Sequence, residues 1–403
     1  MRILFTNTGS WGTGSFTVTD LIALQLKKLG HQVKIFFPDN GFNTADKPKY
    51  YNNHDLYEIW PFPIEKDVVK IPYFPRMLPG RHPRGNGTLD TLKNFSPEQF
   101  KVYFELLEAR LKQAIETYQP DVIDSQHVWA FGYTLAKLKY QYILGAHNSD
   151  QMAFTYDQRM QEKALLAAHN SKYIFAVSET VRQTALKLYN VPPEKVVVMP
   201  VCYNENKFKK LSITRDQFLE SLGLKLPKDA RLVTFSGLIT LIKGIDILLK
   251  ANALLDPKVH ILLFGAGNIN DVIDQSNPQQ FCLDRVHSLG HQSQETLAKA
   301  FNISDLFVLP SRREGFPITI LEAMACGIPA VAGSGYGAEE VIAGEIFQNE
   351  NPASLAAAIT KILDLPAAQY QELTEQALAK SKNYTSRNAV QNRLPYYQSL
   401  SNI

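Results

Sequence analysis

Two carboxylates, Glu314 and Glu322, stand with seven residues between them in the run Ser311-Arg312-Arg313-Glu314-Gly315-Phe316-Pro317-Ile318-Thr319-Ile320-Leu321-Glu322-Ala323-Met324-Ala325-Cys326-Gly327-Ile328-Pro329. Proline suits the first turn of a helix, and a glycine followed shortly by a proline stops one, so the run predicts a helix from about 317 to 326. Its first N–H groups, on Ile318 and Thr319, would then be free at the positive end of the helix dipole, where a phosphate binds. Glu322 falls on the same face as Ile318 and Thr319, and Glu314 in the loop on the near side. No cation lies three or four positions from Glu322, whose neighbours there are Ile318, Thr319, Ala325 and Cys326. A carboxylate among apolar neighbours needs donors, and the vicinal hydroxyls of a ribose or hexose supply two with charge-assisted strength. The competing reading is structural: a glutamate before a helix complements the dipole, and one within it faces water.

Other candidates sit where strands end. The apolar strand Ile3–Phe5 runs into Gly9-Ser10-Trp11-Gly12-Thr13-Gly14-Ser15, followed by a helix with Val18, Leu21, Ile22, Leu26 and Leu29 on one side and a strand Val33–Phe37, a βαβ unit. A dinucleotide fold with Asp39 on the ribose is an alternative, but Gly12-Thr13-Gly14-Ser15-Phe16-Thr17 lacks the third glycine, and Asp39 follows a proline. His127 and His147 each follow a strand, Pro120–Asp124 and Tyr142–Ala146, at the C-terminal ends where open α/β sheets take ligands. Lys243-Gly244 follows the strand ending at Gly237. Gly265-Ala266-Gly267 follows His260–Phe264, either to let a base or phosphate approach or simply to turn the chain. Residues 38–95, rich in Pro, Tyr, Asn and Gly, show little periodicity, yet a loop of that length is rare in a compact domain, so short strands are expected there. Their cations Lys70, Arg76, Arg81, Arg84 and Lys93, with Trp60, Tyr73 and Phe74 nearby, form either a solvated surface or an acceptor-binding flap.

Taken together, these runs resemble the retaining GT-B glycosyltransferases of the family 4 type (glycosyl transferases group 1), the class that includes sucrose synthases and lipopolysaccharide and mannosyl-lipid transferases. The resemblance is strong over 285–342 and thin over 38–120. It implies an α/β fold of two Rossmann-like, doubly wound domains facing across a cleft: an acceptor-binding domain at 1–200 and a donor domain at 201–385, with a last helix at about 386–403 crossing back to the first. It also implies roles. Glu314 lies beside the donor sugar and Glu322 binds the ribose. Lys243 meets the leaving diphosphate, and His147, favoured over His127, contacts the sugar and the reaction centre. Gly12, Thr13 and Gly14 lie against the donor phosphates and the acceptor. Gly237, Gly265, Arg313, Gly315, Phe316, Pro317 and Ile318 complete the donor site. The chain departs from the family at two places: Val201-Cys202 replaces Asn-Gly, and Leu238 replaces an arginine that works with the lysine on the diphosphate. Either Arg312 or Arg313 substitutes for it, or catalysis is weakened.

Bulk properties fit a soluble enzyme. The 403 residues suffice for two domains, and 45% hydrophobic with 20% charged is an ordinary balance. No stretch reads as a membrane span, and Met1-Arg2-Ile3 enters a strand without a cleavable apolar segment, so a cytoplasmic location is expected, with peripheral membrane contact left open. Three scattered cysteines, Cys202, Cys282 and Cys326, suggest neither disulfides nor zinc. A net charge of +3 without a nucleic-acid motif argues against nucleic acid. The expectation is a transferase that moves a hexose from a nucleotide-diphosphate sugar, UDP favoured and GDP still open, to a saccharide, lipid or small-molecule hydroxyl with retention. It needs no metal or cofactor. A nucleotide-sugar epimerase of the same fold and a catalytically weak sugar-nucleotide-binding subunit are the rivals.

Overall fold

The computed structural model describes residues 1–41, 46–79 and 91–401. Arg81 and Arg84 of the expected flap lie outside the described residues. The chain divides into a unit of Met1–Val201 completed by the segment from Ser386 onward, and a unit of Cys202–Thr385.

The first unit holds β1 (Arg2–Thr6), β2 (Gln32–Asp39), β3 (Tyr57–Pro61), the short antiparallel pair β4 (Ile64–Lys66) and β5 (Val69–Ile71), and then β6 (Val122–Gln126), β7 (Ile143–Ala146), β8 (Tyr173–Ala176) and β9 (Val196–Val198). Seven of these form a parallel sheet in the order β3-β2-β1-β6-β7-β8-β9. The second unit holds β10 (Arg231–Ser236), β11 (Val259–Phe264), β12 (Val286–Ser288), β13 (Leu306–Leu309), β14 (Ala330–Gly333) and β15 (Gly344–Phe347), in the order β12-β11-β10-β13-β14-β15. Both orders are Rossmann-like. The chain reverses direction across the sheet between β1 and β6 in one unit and between β10 and β13 in the other, which sets the crevice at the carboxyl ends of those strands.

These strands read as continuous apolar runs because helices cover both faces of a parallel sheet; every residue of β11 is buried. Helix Pro97–Tyr118 starts at a capping box, Ser96 with Gln99, and ends at Gln119 in the left-handed region. The expected short strands of 38–95 are β3, β4 and β5. What orders that region is an aromatic cluster: Trp60 packs against Phe62 at 4.9 Å, Tyr103 at 6.1 Å and Phe74 at 6.3 Å between ring centroids. Trp60 and Phe74 are therefore core residues and not an exposed flap. The last helix, Ser386–Ser401, packs on β6 and on helix Gly14–Lys28 of the first unit and buries Val390, Arg393 and Tyr397. Among the described residues, no helix is long and apolar enough to cross a membrane.

Candidate functional site

In the second unit, β13 delivers the chain through Pro310 and Ser311 to helix Ile318–Ala325. Pro317 is the residue before this helix and not its first member, and the Ile318 N–H donates to the Phe316 carbonyl at 3.0 Å. The expectation that Ile318 offers a free amide to a phosphate is thus corrected: a tight turn at Pro317 has already used that donor. Phe316 lays its ring against Tyr384, 5.7 Å between centroids.

The two glutamates differ sharply. Glu322 is 8% exposed and has no hydrogen-bond or ion-pair partner among the described residues. Burial alone pushes its pKa up to about 8, which favours the neutral acid near pH 7. Glu314 is clasped: Lys243 Nζ lies 2.6 and 2.8 Å from its two oxygens, and Ser311 Oγ donates to Oε1 at 2.6 Å. Gly244 makes this possible, since it has φ 68° and an added Cβ would stand 1.8 Å from the Pro310 carbonyl oxygen. The loop after β10 therefore packs flush on the loop after β13.

Arg312, one of the two arginines expected to stand in for the one missing at Leu238, is already engaged. Its guanidinium grips Asp246 through two bonds, of 2.7 and 2.8 Å, and also holds Glu350 and the Leu241 carbonyl. Arg313 is exposed and has no partner among the described residues, and Leu238 is 44% exposed. Gly237 and Gly265 serve packing. Gly237 N–H donates to the Phe264 carbonyl at 2.9 Å, and a Cβ on Gly265 would strike the Gly237 carbonyl oxygen at 1.6 Å. Close approach of these two loops explains the glycines without a ligand.

In the first unit, Gly12 (φ 86°), Thr13 and Gly14 lie exposed beyond β1. Thr13 Oγ1 donates to the Ser10 carbonyl at 2.8 Å and accepts from Phe16 N at 3.4 Å, capping helix Gly14–Lys28. Trp11, buried and stacked on Tyr50 at 4.7 Å, anchors the loop. The histidines are brought together at the ends of β6 and β7, with ring centroids 4.6 Å apart. His127 Nδ1 meets Thr8 Oγ1 at 2.9 Å, and His147 Nε2 meets Gln126 Oε1 at 2.8 Å. Burial, followed by the charges of His127 and Arg393, holds His147 well below its ordinary pKa, so it is neutral at pH 7. Asp39 is buried and tied to the Gly41 N–H and the Tyr51 hydroxyl, both at 2.8 Å, a structural use of the carboxylate that needs no dinucleotide.

Sequence reasoning missed Thr8, Ser311, Asp124, Gln126 and Tyr397. Gln126 Nε2 donates to Asp124 Oδ1 at 2.5 Å, and the Tyr397 hydroxyl donates to Asp124 Oδ2 at 2.6 Å. The signal for Asp124 was available: an acid inside an apolar parallel strand must find partners. Tyr397 had no such signal, because its partner lies 273 positions away.

The model of glycosyl transferases group 1 matches residues 218–380, and that of glycosyltransferase family 4 matches 12–206. A D-inositol 3-phosphate glycosyltransferase of Mycolicibacterium smegmatis is 27% identical over 389 residues, covering 90% of this chain and 82% of that protein. An uncharacterized glycosyltransferase of Methanocaldococcus jannaschii is 28% identical over 211 residues, and the match spans about half of either chain, 49% and 52%. Among solved structures, Anabaena HepE in complex with UDP and glucose aligns with a TM-score of 0.74 at 17% identity, covering 99% of this chain and 100% of that one. Sucrose-phosphate synthase from Thermosynechococcus elongatus aligns with a TM-score of 0.72 at 18% identity, covering 99% and 98%. At such identities the likeness concerns the fold, which is GT-B.

Proposed function

The chain belongs to the group 1 glycosyltransferases, and on that premise we propose that it transfers a hexose from a nucleotide-diphosphate sugar, UDP-linked in preference to GDP-linked, to an acceptor hydroxyl with retention of configuration. The observation that carries the reading is Glu322: a buried carboxylate without donors, on the helix that follows the loop where Lys243 clasps Glu314 at the switch point of the second sheet. The ribose hydroxyls of the donor supply what Glu322 lacks. Lys243 keeps one N–H free of Glu314, and Arg313 stands unengaged, so both are available to the diphosphate. In a front-face displacement the bond from the anomeric carbon to the phosphate oxygen breaks as the acceptor oxygen bonds on the same face. The departing phosphate oxygen takes the acceptor's proton, and the cations hold the charge it leaves with. Neither glutamate becomes a nucleophile. The resemblance implies that His147 contacts the sugar and the reaction centre and that Gly12–Gly14 lie against the phosphates and the acceptor. The chemistry asks for no metal, because the cations neutralise the diphosphate. A cytoplasmic enzyme that meets its donor there completes the reading.

Thermal unfolding with saturating UDP, GDP, ADP and NAD tests the donor class: a ligand at about a hundred times its Kd adds about 2.7 kcal/mol. A rise with NAD alone, or a UDP-induced rise undiminished in Glu322→Ala, overturns it. An inverted linkage in the product, read by NMR, overturns retention. The exposed Leu238 favours one second reading, a catalytically weak binding subunit. That reading predicts a rise with UDP but no turnover of UDP-hexoses with any acceptor.

A further inference from the structure

Asp124 stands on β6 with both oxygens engaged: Gln126 Nε2 at 2.5 Å on one, the Tyr397 hydroxyl at 2.6 Å on the other. Burial raises the pKa of Asp124, and the Tyr397 hydroxyl, the buried Arg393 one helical turn before it and the Gln126 amide oppose that rise without cancelling it. Gln126 has one amide to divide between two neighbours. If its NH2 faces Asp124, its carbonyl faces His147, and His147 Nε2 must carry the proton. The opposite chain is also self-consistent: a protonated Asp124 donates to a reversed Gln126, whose NH2 then donates to Nε2 and drives the proton to Nδ1. The structure holds the first: Gln126 Nε2 stands on Asp124 Oδ1 and Gln126 Oε1 on His147 Nε2. His147 Nδ1 has no partner among the described residues.

We propose that Tyr397, Asp124 and Gln126 are positioning residues that lock His147 as its Nε2–H tautomer, leaving Nδ1 as a hydrogen-bond acceptor for a substrate hydroxyl. The tautomer follows from the network alone, whereas its use in transfer rests on the proposed function. The last helix, Ser386–Ser401, thereby reaches a strand-end histidine of the first sheet through three hydrogen bonds: Tyr397 to Asp124, Gln126 to Asp124, and His147 to Gln126. A sugar whose matching hydroxyl is replaced by fluorine, which cannot donate, is expected to turn over more slowly with the wild type and no more slowly than the parent sugar with His147→Ala.

The test is long-range proton–nitrogen correlation NMR on the full chain labelled at its histidine rings, with His147→Gln used to assign the signal among the nine histidines. The expected spectrum has a pyrrole-type Nε2 and a pyridine-type Nδ1 for residue 147. In Gln126→Leu and Tyr397→Phe the two forms mix, and kcat falls about tenfold with little change in KM. A pyridine-type Nε2 in the wild type overturns the proposal, and so does a single unmoved tautomer in both variants. If either variant fails to fold, the wild-type spectrum still decides the direction of the chain. Unchanged turnover in His147→Ala would instead sink the functional reading while the tautomer result stood.

Discussion

The switch points of the two sheets are bridged in the same way and finished differently. In the first unit Thr8 reaches His127 across the crevice between β1 and β6; in the second Lys243 reaches Glu314 across the crevice between β10 and β13. Behind the first bridge, polar groups satisfy one another inward, from His147 through Gln126 and Asp124 to Tyr397. Behind the second, Glu322 stays buried without a donor. A site completed from within is preorganised, whereas one that holds an unmet acceptor is completed by its ligand, and its empty form bears the cost.

Breaking the second bridge should have the largest effect. Lys243→Ala is expected to lower transfer about 10²- to 10³-fold, measured as turnover of a UDP-hexose, because the leaving phosphate loses its nearest charge. Next comes Arg312→Ala, which strips the buried Asp246 of its two short bonds and should destabilise the protein by about 2 kcal/mol in urea unfolding, with Glu350, half in water, adding little. An unfolding free energy equal to wild type would mean that this arginine is free for catalysis after all.

Glu322 sharpens the contrast through pH. Its folded pKa of about 8 lies above the unfolded value of 4.5, so the native state holds a proton that the unfolded chain has released. Stability of the empty protein should therefore fall as pH rises from about 4.5 to about 8, and Glu322→Gln should flatten that slope in pH-dependent melting. Nucleotide binding, by supplying donors to the ionised form, should release a proton near pH 7, seen in calorimetry as heat that varies with the buffer. The same variant should weaken UDP about tenfold. The smallest effect is expected from Arg313→Ala: folding stability within about 0.5 kcal/mol of wild type, but a raised KM for the donor. A KM that does not move would leave the position of Leu238 without a substitute.

The second switch point was legible because its chemistry is local in sequence. Glu314, Glu322, Pro317 and Gly327 announce a helix and its acids within one short run, and the apolar strands announce a covered parallel sheet. Lys243 and Gly244 could be found for the same reason, although their clasp on Glu314 and Pro310 could not, since it joins loops about seventy positions apart. At Gly265 a close approach was foreseen, and the structure shows one made by the chain's own backbone at Gly237. Strand β14 went unnamed because Ala and Gly dominate it, residues whose place in a sheet is dictated by neighbours more than by propensity. Among the described residues of 38–95, aromatic contacts such as Trp60 with Tyr103 hold the chain, and they leave no period to read.

Helix Ser386–Ser401 seals the first sheet with residues translated only after the whole of the second unit. After Val201 emerges, the nascent first half waits through the synthesis of the whole second unit, roughly 10–40 s at ordinary elongation rates. Throughout that interval Asp124 lacks Tyr397 and Arg393, and the part of β6 that the last helix covers stays uncovered. The chain's order of manufacture thus runs opposite to its order of completion: the unit begun first is the one closed last, and the second unit is free to fold before it.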